Sequence, residues 1–226
     1  MQRPVLESVN VGQPRTESRV TSRESREGAL DEKPMTSAIW KEPVNGPVWL
    51  DPNGLHGDRV ADTKHHGGPW RAVLMYSANH YPRWRQEWNR RELSAGAFGE
   101  NLTVRGIQES IVCLGDRLEV GEALIEVTSP RGPCWKLARR HGVPDLVEVI
   151  KANHRHGWYL RVLRPGWIEA GQAVTLVDRP YPQWTIERCG GVRWRKDADL
   201  DDARLLADCP ALIPDWREKM RSRLSR

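Results

Sequence analysis

Cys134 stands between Pro133 and Trp135 in the stretch TSPRGPCWKLARR, Thr128 to Arg140, where Arg131, Lys136, Arg139 and Arg140 concentrate positive charge. Cations around a cysteine favour the thiolate over the thiol, and the thiolate is the form that attacks electrophiles and binds soft metals. Pro130 and Pro133 flank Arg131 and Gly132. They stiffen the loop, so that a defined turn presents the sulfur. The plainer alternative is a buried cysteine acting as a small hydrophobe. That alternative suits Cys113, set between Val112 and Leu114, better than it suits Cys134. Cys189 and Cys209 fall in a helix-like tail, where core packing accounts for them. The chain contains no Cys-x-x-Cys pair, so neither a zinc framework nor a small disulfide scaffold is indicated.

Two further stretches carry chemistry. In GLHGDRVADTKHHGGPWRAV, Gly54 to Val73, the adjacent His65 and His66 precede Gly67 and Gly68, and Arg71 follows. Adjacent histidines in a strand point to opposite faces, so at most one serves a given site. A Gly-Gly-Pro run lets backbone amides come close to a ligand whose oxygens Arg71 can bind; a polar hairpin with solvated histidines is the competing reading. In FGENL, Phe98 to Leu102, Asn101 can donate to an oxo or carbonyl oxygen, or can be an ordinary turn residue. A cysteine hydrolase would use His65 or His66 as the base and Asn101 as its orienter. The excess of cations and the lack of a hydrolase signature around Cys134 favour another reading. In it the thiolate completes the metal of a large anionic ligand, and the arginines and the lysine neutralise its phosphate.

The elements that must position these groups are short. The 226 residues suffice for one full-sized domain and a small appendage. A net charge of +5, with signs alternating along most of the chain, suits an anionic small molecule about as readily as nucleic acid. The N-terminus lacks the apolar run of a secretory signal and no stretch reaches the length of a membrane span, which points to a cytoplasmic location. VLESVNVG alternates like a first strand, and Arg15 to Lys33 reads as an exposed polar loop. SAIWKEPV, GPVWLD, RAVLMY, NLTVRG, SIVCLG, DRLEVG, ALIEVTS, WYLRVL and AVTLVD read as strands. YPRWRQEW, with Pro82 in its first turn and Trp84 and Trp88 on one face, and PDLVEVIKAN read as helices. This pattern predicts a closed or nearly closed β-barrel with a few helices, followed by about 45 residues of helical character.

In order along the chain, GLHGDRVADTKHHGGPWRAV, FGENLT, LGDRLEVGEALIEVTSPRGPCWKL and GWYLRVLRPG resemble the MOSC domain. This is the module shared with the C-terminal part of molybdenum-cofactor sulfurases, here in its stand-alone YiiM-like branch. The resemblance runs from about Ser37 to Val177, and the tail from Thr185 is similar to the three-helix domain of that branch. It implies a mainly β fold: an N-terminal strand and polar loop over 1–36, a MOSC-type β-barrel over 37–178, and a small C-terminal three-helix domain over 179–226. It also implies a molybdopterin-type molybdenum cofactor with Cys134 as the metal ligand. His66, Arg71, Asn101, Arg131 and Lys136 would line the cofactor pocket, and Lys33 and Ser37 match more loosely. The implied activity is reduction of N-hydroxylated purines and amines, a detoxification of base analogues. His66 would deliver a proton, its unperturbed pKa lying near neutrality. Electrons would come from a separate reductase, since no G-x-G-x-x-G fingerprint occurs. The helical tail would dock that partner or a second subunit of a homodimer. A cofactor or sulfur carrier without turnover would use the same residues. A nucleic-acid-binding barrel ranks last, because the tryptophans fall mostly at core positions and stacking platforms need exposed rings.

Overall fold

The computed structural model describes residues 3–17, 34–62 and 67–225. Lys33 and His66 lie outside the described residues, as do most of the polar stretch before Lys33 and the neighbouring His65. In chain order the strands are β1 (Val5–Val11), β2 (Arg15–Glu17), β3 (Met35–Ser37), β4 (Glu42–Pro43), β5 (Val48–Asp51), β6 (Gly54–Leu55) and β7 (Val73–Ser77). Helix α1 (Tyr81–Trp88) follows, then β8 (Leu102–Arg105), β9 (Arg117–Val120) and β10 (Ala123–Pro130). Helices α2 (Trp135–His141) and α3 (Leu146–Asn153) lead to β11 (Trp158–Arg164), β12 (Gly166–Ile168) and β13 (Val174–Asp178). The chain finishes with α4 (Ile186–Trp194), α5 (Leu200–Asp208) and α6 (Pro214–Leu224).

Eight strands form one sheet in the order β13-β9-β10-β11-β7-β8-β1-β4. Its pairs are antiparallel except for β7 with β8. The sheet curls until β1, next to its last strand, meets the chain at the start of β13. Leu6 N donates to Gln172 O (2.9 Å), Gly171 N to Leu6 O (2.7 Å) and Val174 N to Pro4 O (2.9 Å), which joins β1 to the start of β13. Such a return removes most of the unpaired edge that an open sheet would expose. Leu6, Val9, Leu102, Val104, Leu118, Val120, Ile125, Val127 and Leu160 fill the interior of the roll. β10 is buried on nearly every residue, because α4 packs on it from outside.

A second core lies beneath the FGEN segment. Phe98 is fully buried, stacked on Tyr76 at 4.7 Å and packed against Tyr81, Trp84 and Trp88. The fully buried Glu100 beneath it accepts from Tyr81 Oη, from Gly96 N (2.8 Å), from Thr103 Oγ1 (2.9 Å) and from Phe98 N (3.1 Å). A third core belongs to α4, α5 and α6, and it takes up Cys189 and Cys209. Burial pushes the Cys113, Cys189 and Cys209 thiols up, in keeping with inert packing groups. Among the described residues no helix is long and apolar enough to cross a membrane.

Three local readings are corrected. Arg15–Glu17 is a strand, not loop, because it pairs with β3, with Thr16 and Thr36 sharing a hydroxyl bond of 2.7 Å. SIVCLG is a turn: Cys113 makes only a single bridge, to Thr185, and Asp116 takes its N–H (2.9 Å). The run after Cys134 is helix α2, which carries no side-chain N-cap bond for the sequence to advertise; the burial of Leu137 and Ala138 fixes it instead.

Two buried histidines tie these layers together. His141 bonds Ala97 O (2.9 Å), and burial, aided by Arg140, lowers its pKa to about 3. His156 bonds Gly157 O (2.8 Å) and meets the ring of Trp194 edge-on at 4.9 Å; burial lowers its pKa to about 4. It packs so closely under α4 that a Cβ on Gly190 would lie 2.9 Å from its Nε2. The unfolded chain takes up both protons near pH 6.5, whereas the native state refuses them until the pH is far lower. Their contribution is therefore complete above about pH 6.5 and is lost as the pH falls toward the folded values. Urea midpoints should fall between pH 6.5 and 4, and His156→Gln should flatten part of that slope; an unchanged slope would contradict the assignment.

Candidate cofactor pocket

At the end of β10 the chain turns through Arg131 to Cys134 and enters α2, which puts the cysteine on the wall of a pocket of about 930 Å³, open mouth included. Cys134 is the half-buried one among four free cysteines. Of the eight residues singled out from the sequence, Ser37, Arg71, Asn101, Arg131, Cys134 and Lys136 all line this pocket, and Lys33 and His66 lie outside the described residues. Backbone segments far apart in sequence converge here: β3, the loop after β6, the turn Pro69–Arg71, the start of β8 and the strand β11.

Arg131 is the pocket's most unusual group. Its backbone N–H is fixed on Gly157 O (3.0 Å) and its side chain is buried, with Nη2 on Phe98 O at 3.4 Å. Nη1 is buried and has no hydrogen-bond partner among the described residues. An arginine without a carboxylate in low dielectric costs free energy unless something negative arrives. Gly67 and Gly68, on the same wall, have φ of 74° and 79°, which a side chain would resist, and a Cβ on Gly68 would meet nothing within 4 Å. The backbone there is open to a ligand. Lys136 places Nζ on Thr36 O (3.1 Å) at the rim. An anion carrying both a soft centre for sulfur and a phosphate for these cations fits such a donor set.

Four residues that matter here carried no signal in the sequence reading. Tyr159 of β11 lines the pocket; burial raises its hydroxyl pKa, Arg131 pulls it down and Cys134 pushes it up. The alternation of WYLRVL, with Trp158 and Leu160 buried into the core, was enough to turn Tyr159 to the other face. Asp58 and Lys41 form a buried ion pair, and Asp58 also accepts from Gly12 N (2.7 Å) and Asn101 Nδ2 (2.9 Å). Burial lowers the Lys41 pKa, partly countered by Asp58. Asp215 of α6 reaches Arg71 across 2.6 Å.

Two expectations change in consequence. Asn101 lines the pocket, yet its amide serves the protein: Nδ2 donates to Asp58 and to Asn10 O (3.3 Å), and Oδ1 accepts from Leu74 N (3.2 Å). It holds the wall together and has no hydrogen left for an oxo group. Arg140 bonds the carbonyls of Ile39 and Gly96, and Arg139 is buried beside it in α2, so neither lines the pocket. The cations that do are Arg131 and Lys136 from that stretch and Arg59 and Arg71 from the earlier one, together with Lys41, which Asp58 pairs.

Residues 62–175 match the MOSC domain, and residues 184–226 match the YiiM-like 3-alpha helix domain. Protein YiiM of Escherichia coli (strain K12) is 37% identical over 189 residues, which cover 83% of this chain and 84% of that protein. The chain belongs to the MOSC family, in its YiiM-like branch. The crystal structure of YiiM from Geobacillus stearothermophilus superposes with a TM-score of 0.78 at 32% identity, covering 98% of this chain and 99% of that one. A protein of Gibberella moniliformis (strain M3125 / FGSC 7600) named reductase is 39% identical over 191 residues, but the match spans only 33% of its length. MOSC domains are associated with molybdenum-cofactor binding in general. The matched MOSC segment begins at residue 62, and β1, which precedes it, completes the same sheet.

The two ion pairs at this pocket differ in burial, and that decides their worth. Lys41 and Asp58 are 6% and 10% exposed, so Asp58→Ala leaves a buried charge unpaired and should cost about 3–5 kcal/mol. Asp215 is 41% exposed, so Asp215→Ala should cost about 0–1 kcal/mol. Urea denaturation of both variants checks the order, and equal losses would contradict it.

Proposed function

We propose that this chain is a molybdenum-cofactor-dependent reductase of N-hydroxylated purines and related amines. The observation that carries the reading is the buried Arg131 Nη1, without a partner among the described residues, in the pocket that also holds a half-buried thiol and four more cationic side chains, Lys41, Arg59, Arg71 and Lys136. Among the described residues no group of three or more His, Cys, Asp and Glu is placed to hold a metal by itself. Cys134 would thus be a single ligand to a metal that arrives with others, as in a dithiolene pterin. When bound, that cofactor supplies a metal able to cycle between two oxidation levels while taking up one oxygen atom.

The chain's own part is holding, orienting and supplying protons. Cys134 fixes the metal side of the cofactor. Arg131, Arg71 and Lys136 neutralise its phosphate, with the open backbone at Gly67 and Gly68 beside them. Tyr159, kept protonated at neutral pH by burial, offers a donor toward the same space. His66, which lies outside the described residues, is the second proton donor in this reading, imidazole being a side chain that commonly moves protons. In the net reaction the N–O bond of R–NH–OH breaks, two electrons and two protons are taken up, and an amine and water leave. The electrons come from a separate reductase, in the cytoplasm. The matched part is 33% of the fungal relative named reductase, which leaves room in that protein for an electron-supplying module on the same chain. The three-helix unit is the proposed docking surface for that donor or for a second copy.

A cofactor-loaded sample, reduced beforehand and mixed with N-hydroxylated bases or amines, should be reoxidised in a substrate-dependent single turnover with release of the amine. No reoxidation by any such compound would overturn the reductase reading in favour of a carrier that hands the cofactor on.

A further inference from the structure

A groove of about 1760 Å³ runs from the Cys134 pocket to the N-terminal end of α6, and the two share the glycines 67 and 68 with Asp62, Arg71, Cys134, Lys136 and Tyr159 as lining. One side is barrel: Trp70, Gly132 and Trp135. The other is helical tail: Pro214, Asp215 and Lys219. The halves are fastened beside it. Ile213 N donates to Thr128 O (3.2 Å), Thr128 Oγ1 donates to Trp70 O (2.8 Å), and Arg71 bridges to Asp215. The groove is therefore a built cleft between two packed units, the setting in which small-molecule sites are most often found. Trp135, the residue next to Cys134, is 53% exposed there, although the fold buries Trp84, Trp158, Trp184 and Trp216. Its ring has Lys136 Nζ at 5.9 Å. Trp70 on the same wall already carries the Arg161 guanidinium at 4.5 Å.

An exposed indole beside a reacting centre is a stacking platform for a flat ring. The polar groups around it select among flat rings. Asp215, paired on one oxygen with Arg71 (2.6 Å) and Lys219 (3.6 Å), keeps lone pairs to accept with, and Lys136 and Lys219 keep hydrogens to donate, so a nitrogen heterocycle with both donors and acceptors is complementary where a hydrocarbon ring is not. We infer that this groove is the subsite for the planar ring of the substrate, with Trp135 as its stacking residue, so that the C-terminal three-helix unit forms one wall of the substrate site. The inference rests on the reductase reading for its choice of substrate, and its test separates the two. With cofactor-loaded protein, kcat/KM is measured for a bicyclic N-hydroxylamino heterocycle and for N-methylhydroxylamine. In Trp135→Ala the ratio of the two should fall by about tenfold, the loss expected of one stacked base, and Trp135→Phe should recover most of it. An unchanged ratio, or an equal loss on both substrates, overturns the subsite. If the wild type reduces neither compound the reductase reading fails, and equilibrium binding of adenine then decides the groove. Binding about tenfold weaker in Trp135→Ala supports the subsite; equal dissociation constants overturn it.

Discussion

A carboxylate buried under the mouth of the pocket has to be neutralised where it lies, and the way Asp58 achieves this shapes what surrounds it. One oxygen takes the Lys41 ammonium and the Gly12 N–H, and the other takes Asn101 Nδ2. Through these bonds the loop after β6 is held to the end of β1, to the segment between β3 and β4, and to the start of β8. Asn101 extends the network to β7 through Leu74 and to β1 through Asn10. A buried network whose members are all satisfied is rigid, because moving any one of them leaves another unpaired in low dielectric. The wall opposite Cys134 is thus preorganised before any ligand comes.

Against that closed network Arg131 stands out. It is as buried as Lys41 but bonds a carbonyl at 3.4 Å and the Tyr159 hydroxyl, and Nη1 has no partner among the described residues. Among the described residues Lys41 has a carboxylate and Arg131 is given none. Such an imbalance is tolerated where an anion completes it, and it lies in the pocket of the only half-buried thiol. The helical tail enters the same logic through Asp215, which orients Arg71 without closing the pocket to it. The tail is therefore tied to the pocket through Arg71.

The parts of this arrangement that were legible in the sequence are those written locally. Cys134 directly after its two prolines, the paired glycines before Arg71, and Arg131 next to Gly132 each announce themselves within a few residues, and all line the pocket or its groove. Most strands, α1, α3 and the three terminal helices follow from alternation, caps and glycine. What was not legible depends on partners distant in the chain. Arg71 and Asp215 are 144 residues apart, and Asn101 and Asp58 are 43 apart. No local pattern says that Asn101 will serve a carboxylate and not a ligand. Arg140 looked like a neighbour of the thiol because it is close in sequence, but the turn of α2 carries it to the carbonyls of Ile39 and Gly96. Helix α2 ends on a left-handed Gly142 but lacks a side-chain N-cap bond, so its start depends on tertiary packing, which overrides local propensity.

The central claim is that Cys134 is the protein's ligand to the molybdenum of a phosphate-bearing cofactor held by Arg131, Arg71 and Lys136. Its most direct test is metal analysis of protein purified from cells that make the cofactor, with wild type beside Cys134→Ala and thermal unfolding as a check that both are folded. Molybdenum in the wild type and none in the folded variant is the predicted result. Equal molybdenum in the two would contradict the account.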